Sequence, residues 1–477
     1  MPVPSGCTRR PGAACLCPLG AAPGAPAHAP GRTPTFSIGF QQRLDPRSVG
    51  SDEVAGGGVH AAGTAEPRAA RVAGPLASSA VSDSPQQAGR RAFVVVIDAC
   101  GIGALPDADA YGDAGANTLV HIAERCGGLD LPTLAVLGLG SILPLRGVPP
   151  SGSPVLHGRL GAAGPGKDSI AGHWELMGVV VAEAPPTYPR GLPAELLARV
   201  EAVLGSAVIC NAPYNGVEAI DDYGAEHLRS RRPILYTSAD SVVQVAAHVD
   251  VLAPELLYER CAALRELMSG ADAVGRVIAR PFAGAPGDFR RTLGRRDYAL
   301  APPTRSYLDE LQAAGVAVHS VGKVSDLFAG RGIDEAHPGA TNAEALESID
   351  ALIDDLDSGL VFANLIETDQ RYGHRKDVAG FHAALREIDA AVGGWLGRLG
   401  AGDLLLISAD HGCDPDAEHS DHTRESVPLL ARFEGDGGRR HDGTLADVGA
   451  SVFDWLTGRD SDQLPGDSFI AGEDADA

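Results

Sequence analysis

The stretch Leu404-Leu405-Leu406-Ile407-Ser408-Ala409-Asp410-His411, with Asp421-His422-Thr423-Arg424-Glu425 shortly after it, decides the reading of the fold. Four consecutive apolar residues are enough for a strand buried on both faces. The run stops at a carboxylate and an imidazole, and His422 follows within one loop. Oxygen and nitrogen donors offered from the end of a buried strand suit a hard or borderline divalent metal. A solvated strand end would read the same way, so the stretch gains its meaning from its companions upstream.

Two further runs, Ala92 to Ile97 (AFVVVI) and Leu360 to Ile366 (LVFANLI), are of the kind buried in parallel sheets. Between the second and Leu404, Val378 to Leu399 reads as an amphipathic helix with Phe381, Leu385, Ile388, Ala391, Val392 and Trp395 on one face. Strand–helix–strand alternation predicts an α/β fold with a doubly wound sheet. Each run ends at or near a carboxylate: Asp98, then Glu367-Thr368-Asp369 ahead of His374, then Asp410-His411. In open α/β sheets ligands bind outside the carboxyl ends of the strands. These three ends, with His374 and His422, supply six oxygen and nitrogen donors. Two metal ions need about that many while leaving room for substrate. Singly, each residue has a plainer reading. Asp98 would cap a helix. Gly101-Ile102-Gly103 resembles a dinucleotide loop but breaks the pattern at Pro106. Asp369 and His374, five apart, do not share a helical face. Their joint position at strand ends favours a two-metal site.

A second dense motif runs from Gly166-Lys167-Asp168-Ser169 to Gly172-His173-Trp174-Glu175. Ser169 opens a helix, where backbone N–H groups and the helix dipole favour an anion. A hydroxyl there, beside a divalent metal, would ionise and attack phosphorus. The plain alternative is that Asp168 or Ser169 only caps the helix. Lysine usage adds weight: the chain holds 36 Arg and only three Lys, namely Lys167, Lys323 and Lys376. In so Arg-biased a composition a Lys marks a position that wants a compact point charge.

The bulk properties set the frame. Residues 1–90 are rich in Ala, Pro, Gly and Arg, have few large apolar residues, and are expected to be disordered. Through Arg91 the chain has nine Arg against five acidic residues, so of the net charge of −23 the remainder carries −27. Such a balance argues against nucleic acid as a partner. No apolar run approaches the roughly 20 residues that span a bilayer, which argues against a membrane. Of the eight cysteines, Cys7, Cys15 and Cys17 lie in the tail, and the others are scattered without ligand spacing. Reduced thiols in a cytoplasmic protein are the expectation. Arg9-Arg10 and the broken apolar stretch after it make a poor secretory signal. No Met lies between Met1 and Met177, so the tail reads as an over-extended reading frame, with translation expected to start at a Val or Leu codon. The chain beyond the tail is too long for one ordinary core. The expected organisation is a core in two parts, 91–183 and 302–472, around an inserted α+β cap, 184–301, with a short tail at 473–477. In the insert, Ile234 to Tyr236 and Val274 to Ala279 read as strands and Pro254 to Met268 as a helix.

The motifs occur in one order: Asp98 with Gly101-Ile102-Gly103, GKDS and GHWE (Gly166 to Glu175), YTSADS (Tyr236 to Ser241), GRVIARPF (Gly275 to Phe282), VGK (Val321 to Lys323), Asp369 with His374, SADHG (Ser408 to Gly412) and DHTRE (Asp421 to Glu425). From about residue 92 to 472 the chain resembles the phosphopentomutases, and the wider alkaline phosphatase superfamily shares only the metal-site subset. The resemblance implies an alkaline-phosphatase-like core and two Mn2+ ions. Asp98, Asp410, His411 and the Ser169 hydroxyl would bind one, and Asp369, His374 and His422 the other. It implies that Ser169 carries the phosphoryl group, and that Ser238, Asp240, Arg276, Arg291 and Lys323 hold the sugar and its second phosphate. It further implies a sugar bisphosphate primer of the glucose 1,6-bisphosphate type, pentose phosphates as substrates and no obligate protein partner. The arginines Arg276, Arg280, Arg290 and Arg291 then meet an anion, while Arg295 and Arg296 read as a solvated loop. The chain departs from the family's usual pattern at Ser169 (Thr in the best-known members), Ala171 (often Thr), Glu367-Thr368 (usually Asp-Phe) and Cys413 (usually Asn). A phosphomonoester hydrolase on the same metal core is the main alternative. A sugar-phosphate sensor without turnover and a metal-dependent phosphoglycerate mutase are the others.

Overall fold

The computed structural model describes residues 89–470 apart from Ala184, Val217, Ala239 and Asp240. The tail expected to be disordered, the last seven residues and the candidate sugar ligand Asp240 therefore lie outside the described residues. Strands β1 (Arg91–Ile97) and β2 (Leu156–Gly161) come first. Then follow β3 (Ile209–Pro213), β4 (Ile234–Ser238), β5 (Val242–His248), β6 (Arg276–Ala285), β7 (Asp288–Arg291) and β8 (Arg296–Ala299). The chain closes with β9 (Val318–Val321), β10 (Glu335–His337), β11 (Gly359–Leu365), β12 (Asp403–Ser408), β13 (Val427–Arg432) and β14 (Gly443–Thr444).

Eight of these form one sheet in the order β10-β9-β11-β1-β12-β13-β2-β14. Strands β1, β11 and β12 are buried along almost their whole length, as continuous apolar runs require when helices cover both faces. Two helical layers account for that burial. One holds Thr118–Cys126, Pro132–Leu137, Asn342–Asp355 and Val378–Leu396; the other holds Ser169–Leu176, Tyr307–Ala313, Val324–Leu327 and Ala446–Thr457. The amphipathic helix ends at Leu396, three residues earlier than its apolar pattern suggests, and buries Phe381, Leu385, Ile388, Val392 and Trp395. The sheet is mixed: β13 runs against β12 and β2, while every other pairing is parallel. No helix lies between Ser408 and Val427. Without a crossover the next strand must return antiparallel.

Strands β3 to β8 build a second sheet in the order β3-β4-β5-β6-β7, with β8 on the same edge of β6 as β7. Its apolar residues form clusters separate from the main core. One centres on Val200, Leu257, Leu264 and Val277, the other on Ile220, Tyr236 and Phe282. Strand β6 begins at Arg276 because its register with β5 starts at Val242↔Arg276, two residues later than the apolar run from Val274 suggests.

Candidate metal centre

Register explains why distant residues meet. Ile97 pairs with Leu365, Val96 with Ser408, and Val321 with Ala363. The carboxyl ends of β9, β11, β1 and β12 therefore lie side by side, and the residues just beyond them are Lys323, Asp369, Asp98 and Asp410. Asp98, Asp369, Asp410 and His411 are all buried.

The first group gathers around Asp98. His411 Nε2 lies 3.4 Å from Asp98 Oδ1 and 3.5 Å from Asp410 Oδ2. Ser169 Oγ is 3.4 Å from Asp98 Oδ1 and 3.2 Å from His411 Nε2. The helix cap is Asp168, whose carboxylate accepts from the N–H groups of Ile170 and Ala171 at 2.9 and 3.1 Å. The cap reading thus falls to Asp168, which leaves the Ser169 hydroxyl uncommitted to capping. Ala99 takes a left-handed φ of 63° directly after Asp98, and its N–H donates to Asp410 Oδ1 at 3.1 Å. For a non-glycine residue such a conformation costs about 1–2 kcal/mol. Here it joins two of the strand ends.

The second group gathers around Asp369, on a single π-helical turn, Thr368–Gly373, directly after β11. Asp369 Oδ1 is 3.2 Å from His422 Nε2 and 3.5 Å from His374 Nε2. The rings of His411 and His422 lie 4.0 Å apart, so the groups adjoin. Donor atoms of Asp369, His411 and His422 fall within 4.8 Å of one another, as do those of Asp98, Asp410 and His411, and those of Asp369, His374 and Cys413. His411 thus stands between both groups. Cys413, which carries no expected ligand role, adjoins the second.

These donors fit a divalent cation. Among the described residues, Asp369 Oδ1, Asp410 Oδ2 and His422 Nε2 are buried with no aligned hydrogen-bond partner. Buried polar atoms seldom go unsatisfied without a reason, an ion among them. Burial, followed by the charge of Asp410, pushes the Asp98 carboxyl up to about 6. Burial also opposes charge on Asp369, yet His422, His411 and His374 hold it down to about 2. Three carboxylates packed this closely repel each other unless cations lie among them.

The remaining expected residues distribute unevenly. Lys323 Nζ lies 3.7 Å from Asp98 Oδ2 and faces the centre. Lys167 pairs instead with buried Asp113 at 3.0 Å, and Lys376 donates to the Ala417 carbonyl. On the second sheet, Arg276 lies 3.8 Å from Asp297, and its charge and that of Lys323 both bear on Asp326. Arg291 pairs with Phe282 along β7, and its charge, with those of Arg280 and Arg295, bears on Tyr236. Among the described residues the buried Tyr236 hydroxyl has no hydrogen-bond partner. Arg280 is committed to Gln244, donating from Nε and Nη2 at 3.0 and 2.8 Å. Arg295 forms a two-point ion pair with Asp297, and Arg296 lies over the Tyr258 ring at 4.0 Å. Ser238 ends β4.

Sequence reasoning missed the residues that brace these donors. Asn364 Nδ2 donates to Asp98 Oδ2 at 3.1 Å and contacts His173 Nε2 at 3.2 Å. His173 Nδ1 donates to the Ser169 carbonyl at 2.9 Å and lies 3.1 Å from Asp410 Oδ2. The polar residue inside LVFANLI was the available signal for Asn364. Asp113 had none: its carboxylate collects Lys167, His419 Nε2 at 2.8 Å and the Arg424 N–H at 2.8 Å. Arg424 in turn donates to the Gly166 carbonyl at 2.8 Å, tying the DHTRE loop to the turn before Ser169.

Comparison with known proteins follows the same lines. A model of the metalloenzyme superfamily matches residues 90–458. A phosphopentomutase of Anaeromyxobacter sp. (strain K) is 47% identical over 388 residues, 80% of this chain and 98% of its own. That of Syntrophotalea carbinolica is 48% identical over 343 residues, 72% and 87% of the two chains. That of Caldanaerobacter subterraneus subsp. tengcongensis is 45% identical over 368 residues, 76% and 93%. With its buried carboxylate–histidine centre and these relatives spanning nearly their full length, the chain belongs to the phosphopentomutase family of isomerases, within the metalloenzyme superfamily.

Proposed function

We propose that the protein interconverts α-D-ribose 1-phosphate and ribose 5-phosphate, and the corresponding 2-deoxyribose phosphates, through phosphorylated Ser169 and a pentose 1,5-bisphosphate. The observation that carries this reading is the Ser169 hydroxyl, free of capping duty and set between Asp98 and His411. Relatives 45–48% identical to this chain bear the name phosphopentomutase, which fits this reading.

Asp98, Asp410, His411 and the Ser169 hydroxyl would hold one Mn2+, and Asp369, His374 and His422 a second. Bound there, the cations would neutralise charge on the transferring phosphoryl group and favour the ionised hydroxyl. Phospho-Ser169 gives its phosphoryl group to the free hydroxyl of the sugar phosphate, whose proton leaves, and the 1,5-bisphosphate forms. Ser169 Oγ then attacks the other phosphorus, the sugar oxygen leaves with a proton, and phosphoserine is restored. Lys323, facing Asp98, would balance carboxylate charge and meet the phosphoryl oxygens. Ser238, Asp240, Arg276 and Arg291 would hold the sugar and the idle phosphate. Residues 184–301 would act as a cap, closing over the site to exclude the water that turns a mutase into a phosphatase. A sugar bisphosphate would prime Ser169. A cytoplasmic setting suits the acidic composition and the free thiols at Cys100, Cys126, Cys210, Cys261 and Cys413.

Phosphopeptide mass spectrometry after incubation with glucose 1,6-bisphosphate and Mn2+ tests the phosphoenzyme. Phosphate on Ser169, removed by ribose 5-phosphate, is the expected result; phosphate elsewhere or nowhere sinks the mechanism.

A further inference from the structure

The outer edge of the large sheet carries a second cluster of donors that the reaction above does not use. Strand β10 is the edge strand, and its sequence is Glu335-Ala336-His337. In a strand, residues two apart share a face, so Glu335 and His337 point the same way. Register places His319 of β9 beside Glu335 and Val321 beside His337, which brings His319 onto that face as well. His319 Nδ1 lies 3.0 Å from His337 Nε2, and the two rings stack with centroids 5.3 Å apart. Glu335 Oε2 is 3.7 Å from His319 Nδ1, and Oε1 is 4.0 Å from His337 Nε2. The histidine side chains are 13% and 19% exposed, the glutamate 63%.

We propose that His319, Glu335 and His337 form a further metal site, taking a borderline divalent cation of the Zn2+ class with a coordination position open to solvent. Zinc–nitrogen bonds of about 2.0–2.1 Å put two ligating ring nitrogens on one ion roughly 3.0–3.4 Å apart. The His319–His337 separation already has that value. Two imidazoles and one carboxylate, with a vacant fourth position, make up a recurrent open zinc site. The exposed Glu335 side chain is free to turn the short way needed to close on an ion. A metal-free histidine pair needs one ring nitrogen protonated and the other not, whereas a cation takes both lone pairs. Strand β9 leads directly into the turn Gly322-Lys323, and the Lys323 Nζ faces Asp98. A cation clamping β9 to β10 would therefore steady the strand that delivers Lys323.

The inference does not depend on the proposed reaction, and its test is separable from it. Zinc content of the full chain, by equilibrium dialysis and elemental analysis, is compared with that of His319→Ala and Glu335→Gln. The wild-type chain should bind one Zn2+ more than His319→Ala, and Glu335→Gln should hold that extra ion at least tenfold more weakly. Isomerase activity with Mn2+ should stay within twofold in Glu335→Gln, whose exposed position leaves folding intact. A zinc absorption edge reporting two imidazoles and oxygen at the extra ion would support the site directly. Equal zinc stoichiometry and affinity in the wild type and Glu335→Gln would overturn the proposal and leave the histidines as a hydrogen-bonded edge pair.

Discussion

Gly172 passes so close to Asp410 that a β-carbon at position 172 would lie 2.4 Å from the Asp410 carbonyl oxygen. This close approach lets the helix carrying Ser169 dock on the end of β12. His173, next in sequence, then contacts both Asp410 and the Ser169 carbonyl. Gly172→Ala should push helix and strand apart, costing about 1–3 kcal/mol of stability. Mn2+ affinity should fall with it. Urea unfolding and a manganese titration read the two effects, and unchanged affinity would show that the contact does not set the centre.

Removing the Ser169 hydroxyl should separate chemistry from folding. Ser169→Ala should lose at least about a thousandfold in kcat, as expected when a nucleophile is deleted. It should keep its melting temperature and most of its metal, since three other donors remain in that group. Ser169→Thr, which supplies a hydroxyl at the same place, should keep activity. Steady-state kinetics and elemental analysis on both variants make the check.

The strand ends are legible in the sequence because their signal is local. AFVVVI and LLLI are unbroken apolar runs, LVFANLI is interrupted only by Asn364, and each stops near a carboxylate that a solvent-facing loop would not need there. The bracing layer is not legible. Asn364 sits inside an apolar run and reads as a blemish, although its amide holds Asp98 and contacts His173. Lysine scarcity points to three positions, but only spatial pairing tells Lys323, which faces Asp98, from Lys167, which Asp113 holds. The reversal of β13 follows from a missing crossover helix, which periodicity alone does not reveal. In the second sheet, Arg280 looked like an anion ligand, yet it is committed to Gln244, a partner 36 residues away in sequence.

His422→Ala should divide the two groups. Asp369 would lose its partner at 3.2 Å, while Asp98, Asp410 and His411 keep their mutual contacts. The metal content at saturation should drop by one ion per chain, leaving the other in place. Loss of both ions would show that the groups act as one site.

Metal removal should cost stability, because the buried carboxylates then face each other without compensation. Mn2+ at about a hundred times its Kd should stabilise the folded chain by about 2.7 kcal/mol per site. Chelation should lower the melting temperature accordingly, and an unchanged Tm would contradict a buried centre that binds cations.

Away from the site, Arg91 grips Asp403 through Nε and Nη2 at 2.7 and 2.9 Å, joining the first residues of β1 and β12. Burial opposes the charge on Asp403, but the Arg91 contact wins and holds its carboxyl below the usual range. A depressed carboxyl stabilises the fold above its unfolded value, about 3.9, and loses that contribution as pH falls further. Arg91→Met should therefore cost roughly 2 kcal/mol near neutral pH. The cost should shrink below about pH 4. Urea titrations at several pH values would show it.

The central claim is that a primed Ser169 exchanges phosphoryl groups with a pentose phosphate instead of releasing them. The most direct test supplies ribose 1-phosphate with Mn2+ and catalytic glucose 1,6-bisphosphate, following ribose 5-phosphate and inorganic phosphate together. Stoichiometric ribose 5-phosphate, with dependence on metal and primer and no net phosphate release, is the expected result. Inorganic phosphate accumulating without ribose 5-phosphate would contradict the account and make the protein a phosphatase on the same metal core.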